Sequence, residues 1–234
     1  MSYIVADQLG KSFGSGAAAV HAVSDLSFRI APGEFVAIMG ESGAGKSTLL
    51  GILGAMSAPT TGRLHVDGID VYALDQDRLA DFRREYLGFV FQSFHLVPYL
   101  SVIENVMLPL AVSRKGRREK RRLAAEALAQ VGLAGKAERL PGEISGGEKE
   151  RVAVARAIVN EPPVLLADEP TGNLDSGNSH EIMRTFQRLN ASGMTVIMVT
   201  HSAECSGYAG RVMQLSDGRL KTDRRTAAPL RRAS

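Results

Sequence analysis

One short stretch, Gly40-Glu41-Ser42-Gly43-Ala44-Gly45-Lys46-Ser47, constrains this chain more than any other. It follows the apolar run Phe35–Met39, and the pattern after it predicts a helix from Ser47 to about Met56. Strand, glycine-rich loop and helix in that order make a phosphate cradle. Gly40, Gly43 and Gly45 permit tight backbone that a Cβ would obstruct. The loop amides and the helix start then face an anion, with Glu41, Ser42, Ala44 and Thr48 completing the loop. Lys46 supplies a positive charge for the β- and γ-phosphates, and Ser47 offers a hydroxyl to Mg²⁺. A plain glycine-rich turn would need neither Lys46 nor Ser47 here.

A second motif fits the first. Val164-Leu165-Leu166-Ala167 is a buried-strand pattern ending in Asp168 and Glu169. Such a strand delivers Asp168 to the carboxyl edge of a sheet, where it can hold a metal. Glu169 is then a candidate general base for water. Together the two motifs point to hydrolysis of a nucleoside triphosphate. Ile144-Ser145-Gly146-Gly147-Glu148 opens a further predicted helix and reads as a second anion loop, or as an ordinary N-cap with flexible glycines.

Between the motifs, apolar runs alternate with helical patterns, which predicts an α/β fold. Strands are expected at Tyr3–Ala6, Leu26–Ile30, Leu64–Val66, Leu87–Phe91, Thr195–Thr200, Arg211–Ser216 and Arg219–Thr222, and helices at Arg117–Val131 and Glu148–Asn160. The 234 residues suit one domain, and 44% hydrophobic with 23% charged residues excludes a disordered chain. Lys+Arg 28 against Asp+Glu 25 leaves +3. The single cysteine, Cys205, excludes an intrachain disulfide and a cysteine-built zinc site, and suits a reducing compartment. No apolar run approaches the roughly 18 residues of a membrane span, and the start lacks a signal-peptide pattern. The basic run Arg114–Arg122 is read as a solvated helix start, with a nucleic-acid or lipid patch as the alternative.

From about Tyr3 to Thr222 the chain resembles the ATP-binding subunit of ABC transporters. Besides the two motifs, Gln92 after Val90-Phe91 resembles the Q-loop glutamine. Ile144–Glu148 resembles the signature loop, and Asn173-Leu174-Asp175 the D-loop. His201 after Val199-Thr200 resembles the switch histidine. Ile144, Glu148 and Glu150 depart from the commonest residues at their positions.

The resemblance implies a P-loop NTPase fold, with a RecA-like core, an antiparallel β subdomain and a helical subdomain. One such domain would span 1–225, its core and β parts about 1–91 and 161–225 and its helical part about 92–160, with a tail at 226–234. It also implies an ATP-sandwich dimer of two copies, each signature loop covering the other's phosphate loop. Ser145, Gly146, Gly147 and Asp175 would then serve the partner's nucleotide. Phe13 would stack on adenine, Gln92 would join Ser47 and Asp168 at Mg²⁺, and His201 would assist Glu169. Lys46 would act in catalysis as well as binding.

The partners implied are a second copy and an integral-membrane permease, with no nucleic acid. Membrane contact would run through the permease, putting the chain in the cytoplasm on the inner face of the membrane. The stretch Phe94–Leu100 is the expected permease contact. Thr171-Gly172-Asn173-Leu174-Asp175 and Phe91–Pro98 resemble the LolD, MacB and FtsE branch. That branch exports or extracts lipoproteins, peptides, drugs or haem, or, in the FtsE type, relays a signal in cell division without cargo.

Overall fold

The computed structural model describes residues 3–14, 16 and 19–226. Residues 227–234 of the expected tail lie outside it. The chain opens with an antiparallel pair, β1 (Ile4–Phe13) and β2 (Val20–Ile30). Both run further than the apolar patterns predict. The extensions are polar and irregular, with register shifts after Ala6 and Leu9 that break the period-2 signal. After β3 (Phe35–Met39) and α1 (Lys46–Leu53) come β4 (Thr61–Val66) and the short β5 (Ile69–Asp70). These last two complete a four-stranded sheet of order β2-β1-β4-β5.

The second half supplies the large sheet and the helices. α2 (Gln76–Tyr86) leads into β6 (Leu87–Val90). Next come α3 (Val102–Met107), α4 (Arg117–Gln130) and α5 (Gly146–Ile158). The chain then alternates through β7 (Val164–Asp168), α6 (Ser176–Ala191), β8 (Thr195–Thr200) and α7 (Ala203–Ser206) to the hairpin β9 (Arg211–Ser216) and β10 (Arg219–Arg225). The large sheet has the order β10-β9-β3-β8-β7-β6, parallel except for β10.

The central strands are apolar without alternation because both faces are covered. Val36, Ile38, Leu166, Ile197 and Val199 pack against α1 and the antiparallel sheet. Phe35, Ala37, Leu165, Ala167, Val196 and Met198 pack in a cluster with residues of α3–α6, so the helical part and the sheet share one core.

Two of the longer helices, α2 and α6, were not expected. α2 buries only Leu79 and Phe82 from a polar sequence, too thin a stripe to read. α6 carries a clearer stripe, Ile182, Met183, Phe186 and Leu189, behind an N-cap at Asp175 whose side chain accepts from the Asn178 amide. Among the described residues no helix is long and apolar enough to cross a membrane.

Candidate functional site

Four neighbouring parallel strands end at one edge of the large sheet. β3 delivers the glycine loop, β8 delivers His201, β7 delivers Asp168 and Glu169, and β6 leads to Gln92. Their registers, Met39 with Thr200, Asp168 with Val199 and Val90 with Ala167, bring these residues level. The result is a cavity of about 740 Å³ lined by Ala22, Glu41, Ser42, Gly43, Gly45, Lys46, Ser47, Thr48, Gln92, Glu169 and His201.

The loop's geometry explains its composition. Gly43 and Gly45 have φ of 81° and 94°, which favour glycine. A Cβ on Gly45 would lie 2.1 Å from the Ala22 carbonyl oxygen, so β2 closes on the loop there. Gly40 has another reason: a Cβ would meet the Leu215 carbonyl of β9 at 2.5 Å. Ala44 turns its side chain into the core beneath the loop, outside the cavity lining. Lys46 is 6% exposed, and its ammonium donates to the Gly40 and Glu41 carbonyls, each at 2.8 Å.

Ser47 donates its hydroxyl hydrogen to Asp168 Oδ1 at 3.2 Å, pairing two hard oxygens from α1 and β7. Burial pushes the Asp168 carboxyl up from its usual range, the Ser47 hydrogen bond opposes this, and Glu169 adds to the rise. Glu169 has φ 44°, a conformation few side chains tolerate. Its amide donates to the Val199 carbonyl at 3.0 Å, and its carbonyl accepts from Gly172 at 3.0 Å. Its Oε2 lies 2.9 Å from His201 Nδ1. Asn173 donates to the Gln92 carbonyl at 3.1 Å, tying the loop after β6 to the loop after β7.

Ser145, Gly146 and Gly147 lie elsewhere, at the start of α5. Ser145 accepts from the Glu148 amide at 3.2 Å, while Glu148 accepts from the Ser145 amide at 2.8 Å, a complete capping box. Ser145 and Gly146 are exposed. Gly147 is buried against α6, where a Cβ would meet Asn178 Oδ1 at 1.9 Å. Asp175, which caps α6, likewise does not line the cavity. Phe13 is also outside the lining, 49% exposed, with the Lys11 ammonium 5.2 Å from its ring centre.

Ala22 in the lining escaped sequence reading, because nothing local marks a β2 residue as facing α1. So did Arg156, which donates to the Phe94 and His95 carbonyls at 2.8 and 2.6 Å across about sixty residues of chain.

The profile of the family described as ABC transporter matches residues 23–172, more than half of the chain. The chain belongs to that family. It is 45% identical over 219 residues to the lipoprotein-releasing system ATP-binding protein LolD of Bordetella pertussis, covering 93% of this chain and 95% of that protein. It is 44% identical over 228 residues to the macrolide export ATP-binding/permease protein MacB of Chromobacterium violaceum, covering 97% of this chain. The chain spans about a third of the length of the MacB relatives it matches. Among solved structures it is similar to a dimeric ATP-binding cassette in a post-hydrolysis state with ADP and Pi, with TM-score 0.88, 38% identity, and 96% of this chain and 99% of that one covered.

Proposed function

We propose that this chain binds MgATP in the cavity at the sheet edge and hydrolyses it as one half of a two-chain nucleotide sandwich that drives a membrane permease. The observation that carries the reading is the convergence of Lys46, the Ser47–Asp168 pair and the Glu169–His201 pair at one edge. The loop amides and Lys46 bind the phosphates, as a helix start and a fixed cation suit a polyanion.

The oxygen donors of Ser47 and Asp168 fit Mg²⁺, a hard cation, and Gln92 lines the same cavity. Mg²⁺, when bound, offsets the charge that builds on the phosphate oxygens. Glu169 orients the attacking water and accepts its proton. His201 holds the Glu169 carboxylate from its exposed side and faces the transferred phosphoryl group. Gln92 senses the γ-phosphate. Phe13, at the open end of β1, stacks on the base.

Ser145, Gly146, Gly147 and Asp175 have no place in their own chain's cavity, which supports their serving a second copy. Permease contact fits a groove of about 550 Å³ flanked by Leu87, Phe89, Phe91, Leu108, Pro109, Val112 and Arg156. The stretch Phe94–Leu100 does not line this groove, but Arg156 in the lining donates to its Phe94 and His95 carbonyls. Its Leu96 packs on the core, and Asn105 bonds both the amide and the carbonyl of Val97. Through that contact the chain sits on the inner face of the membrane, and the permease selects the cargo, lipoprotein and macrolide being the classes in the relatives' names.

ATP hydrolysis by the purified chain tests the reading. Wild type should release phosphate from MgATP, and Lys46→Ala should lose nucleotide binding. Undiminished turnover by Lys46→Ala would refute this use of the cavity.

A further inference from the structure

Glu169 and His201 each begin a short turn whose far end is buried. In the loop after β7, the Gly172 amide donates to the Glu169 carbonyl at 3.0 Å, so Glu169 and Thr171 share one four-residue turn. After β8, His201 is followed by α7, where the Cys205 amide donates to the Ser202 hydroxyl oxygen at 3.2 Å and the Ser206 amide to the Ser202 carbonyl at 3.1 Å. The two turns meet a second time behind the Glu169–His201 pair. Thr171 Oγ1 and Cys205 Sγ lie 3.3 Å apart, a hydrogen bond that either group can donate. Thr171 is 8% exposed and Cys205 6%, whereas the His201 side chain is 65% exposed.

We propose that Thr171 is a positioning residue that, through Cys205, holds His201 in reach of Glu169. This rests on the reading of Glu169 and His201 as the pair that acts on the water and the phosphoryl group.

The physical basis is that neither turn fixes itself. α7 has four residues, too few to be stable as an isolated helix. Among the described residues, the one side-chain hydrogen bond of His201 is to Glu169 itself. Its direction therefore follows the backbone, and that backbone follows α7. Glu169, at φ 44°, is strained and needs an outside hold. The Thr171–Cys205 contact supplies one in the interior, away from competing water. A further tie, His180 of α6 to Glu204 of α7 at 3.4 Å, lies near solvent and adds little. Neither Thr171 nor Cys205 lines the cavity, so their contact bears on turnover rather than on nucleotide binding.

The test uses the full chain. Thr171→Val keeps the shape and removes the hydroxyl, and the thiol left behind is a weak donor that loses little without a partner. Its kcat for MgATP should fall roughly three- to fivefold, the scale of one buried hydrogen bond, with KM unchanged. Cys205→Ala should do the same, and the double variant should lose no more than either alone, since both break one contact. Thr171→Ser should restore the wild-type kcat. The NMR signals of the His201 ring, identified by their loss in His201→Gln, give a readout independent of hydrolysis. They should move in Thr171→Val and Cys205→Ala and return in Thr171→Ser.

An unchanged kcat with unmoved His201 signals in Thr171→Val would overturn the proposal. So would additive losses in the double variant, or a Thr171→Ser chain as slow as Thr171→Val. If Thr171→Val does not fold, Cys205→Ala and Thr171→Ser decide by the same readings. A wild-type chain that hydrolyses nothing, yet whose His201 signals move in Thr171→Val, would refute the ATPase reading and leave this inference standing.

Discussion

Two helix starts, those of α1 and α5, are rich in glycine, and they are finished in opposite ways. At α1 the N-cap is Gly45, with no side-chain cap and no acidic residue in the first turn. At α5 the N-cap is Ser145, closed by a full capping box with Glu148. Elsewhere the helices α3 and α6 are capped by Ser101 and Asp175. Among these four, α1 alone has first-turn amides without a side-chain acceptor, and a phosphate would satisfy them. The α5 start is already stable by itself, so what it offers an anion is surface. The first loop thus leaves its amides open to an anion, and the second, already capped, suits the proposed role of meeting another chain.

The largest effect expected belongs to the cavity that the first loop lines, where Glu169 also sits. Glu169→Gln should cut turnover on the order of 10²–10⁴-fold while nucleotide still binds, since an amide cannot take the proton from water. Phosphate release set beside equilibrium binding of ATP checks both halves. Turnover near wild type would mean that another group is the base.

Backbone substitutions sharpen the contrast. Gly45→Ala must adopt φ 94° and crowd the Ala22 carbonyl, so it should cost about 1–3 kcal/mol in thermal or denaturant unfolding and also weaken ATP binding. Gly147→Ala has no positive φ to adopt and meets the Asn178 side chain rather than backbone, its amide oxygen at 1.9 Å and its Cβ at 3.0 Å. It should melt closer to wild type and lower turnover through the second chain. If the two glycines behave alike in both assays, the distinction between the loops fails. Smaller still, Ser145→Ala removes one cap and should cost about 1 kcal/mol of stability. Nucleotide binding by the isolated chain should be unchanged, as read by titration with ATP. A loss of binding there would place Ser145 in its own chain's cavity.

The parts of this division that were readable in the sequence are the local ones. The glycine loop, the strand ending at Asp168 and the Ser145 cap are contiguous patterns, and doubly covered strands leave plain apolar runs. Other parts were not readable because distant segments create them. The Ala22 carbonyl over Gly45 and the reach of Arg156 to His95 depend on packing that no local spacing encodes. Glu150 is similar: its place after the signature loop is visible in the chain, but its burial without a partner is not. Phe13 is half exposed at the end of β1 and so is no core aromatic, which its local sequence does not reveal. The polar extensions of β1 and β2 and the thin stripe of α2 mark the other limit, where tertiary contacts outweigh a weak local signal.

The most direct test of the two-loop account mixes two inactive chains. Lys46→Ala disables the first loop and leaves α5 intact. Ser145→Arg places bulk and charge at the α5 start and leaves the first loop intact. Each variant alone should hydrolyse almost no ATP. In a mixed pair, the intact first loop of one chain meets the intact α5 start of the other, so hydrolysis should reappear on mixing. If the mixture stays as inactive as its components while both chains fold and the Ser145→Arg chain still binds ATP, the second loop does not serve a partner's nucleotide, and the account is wrong.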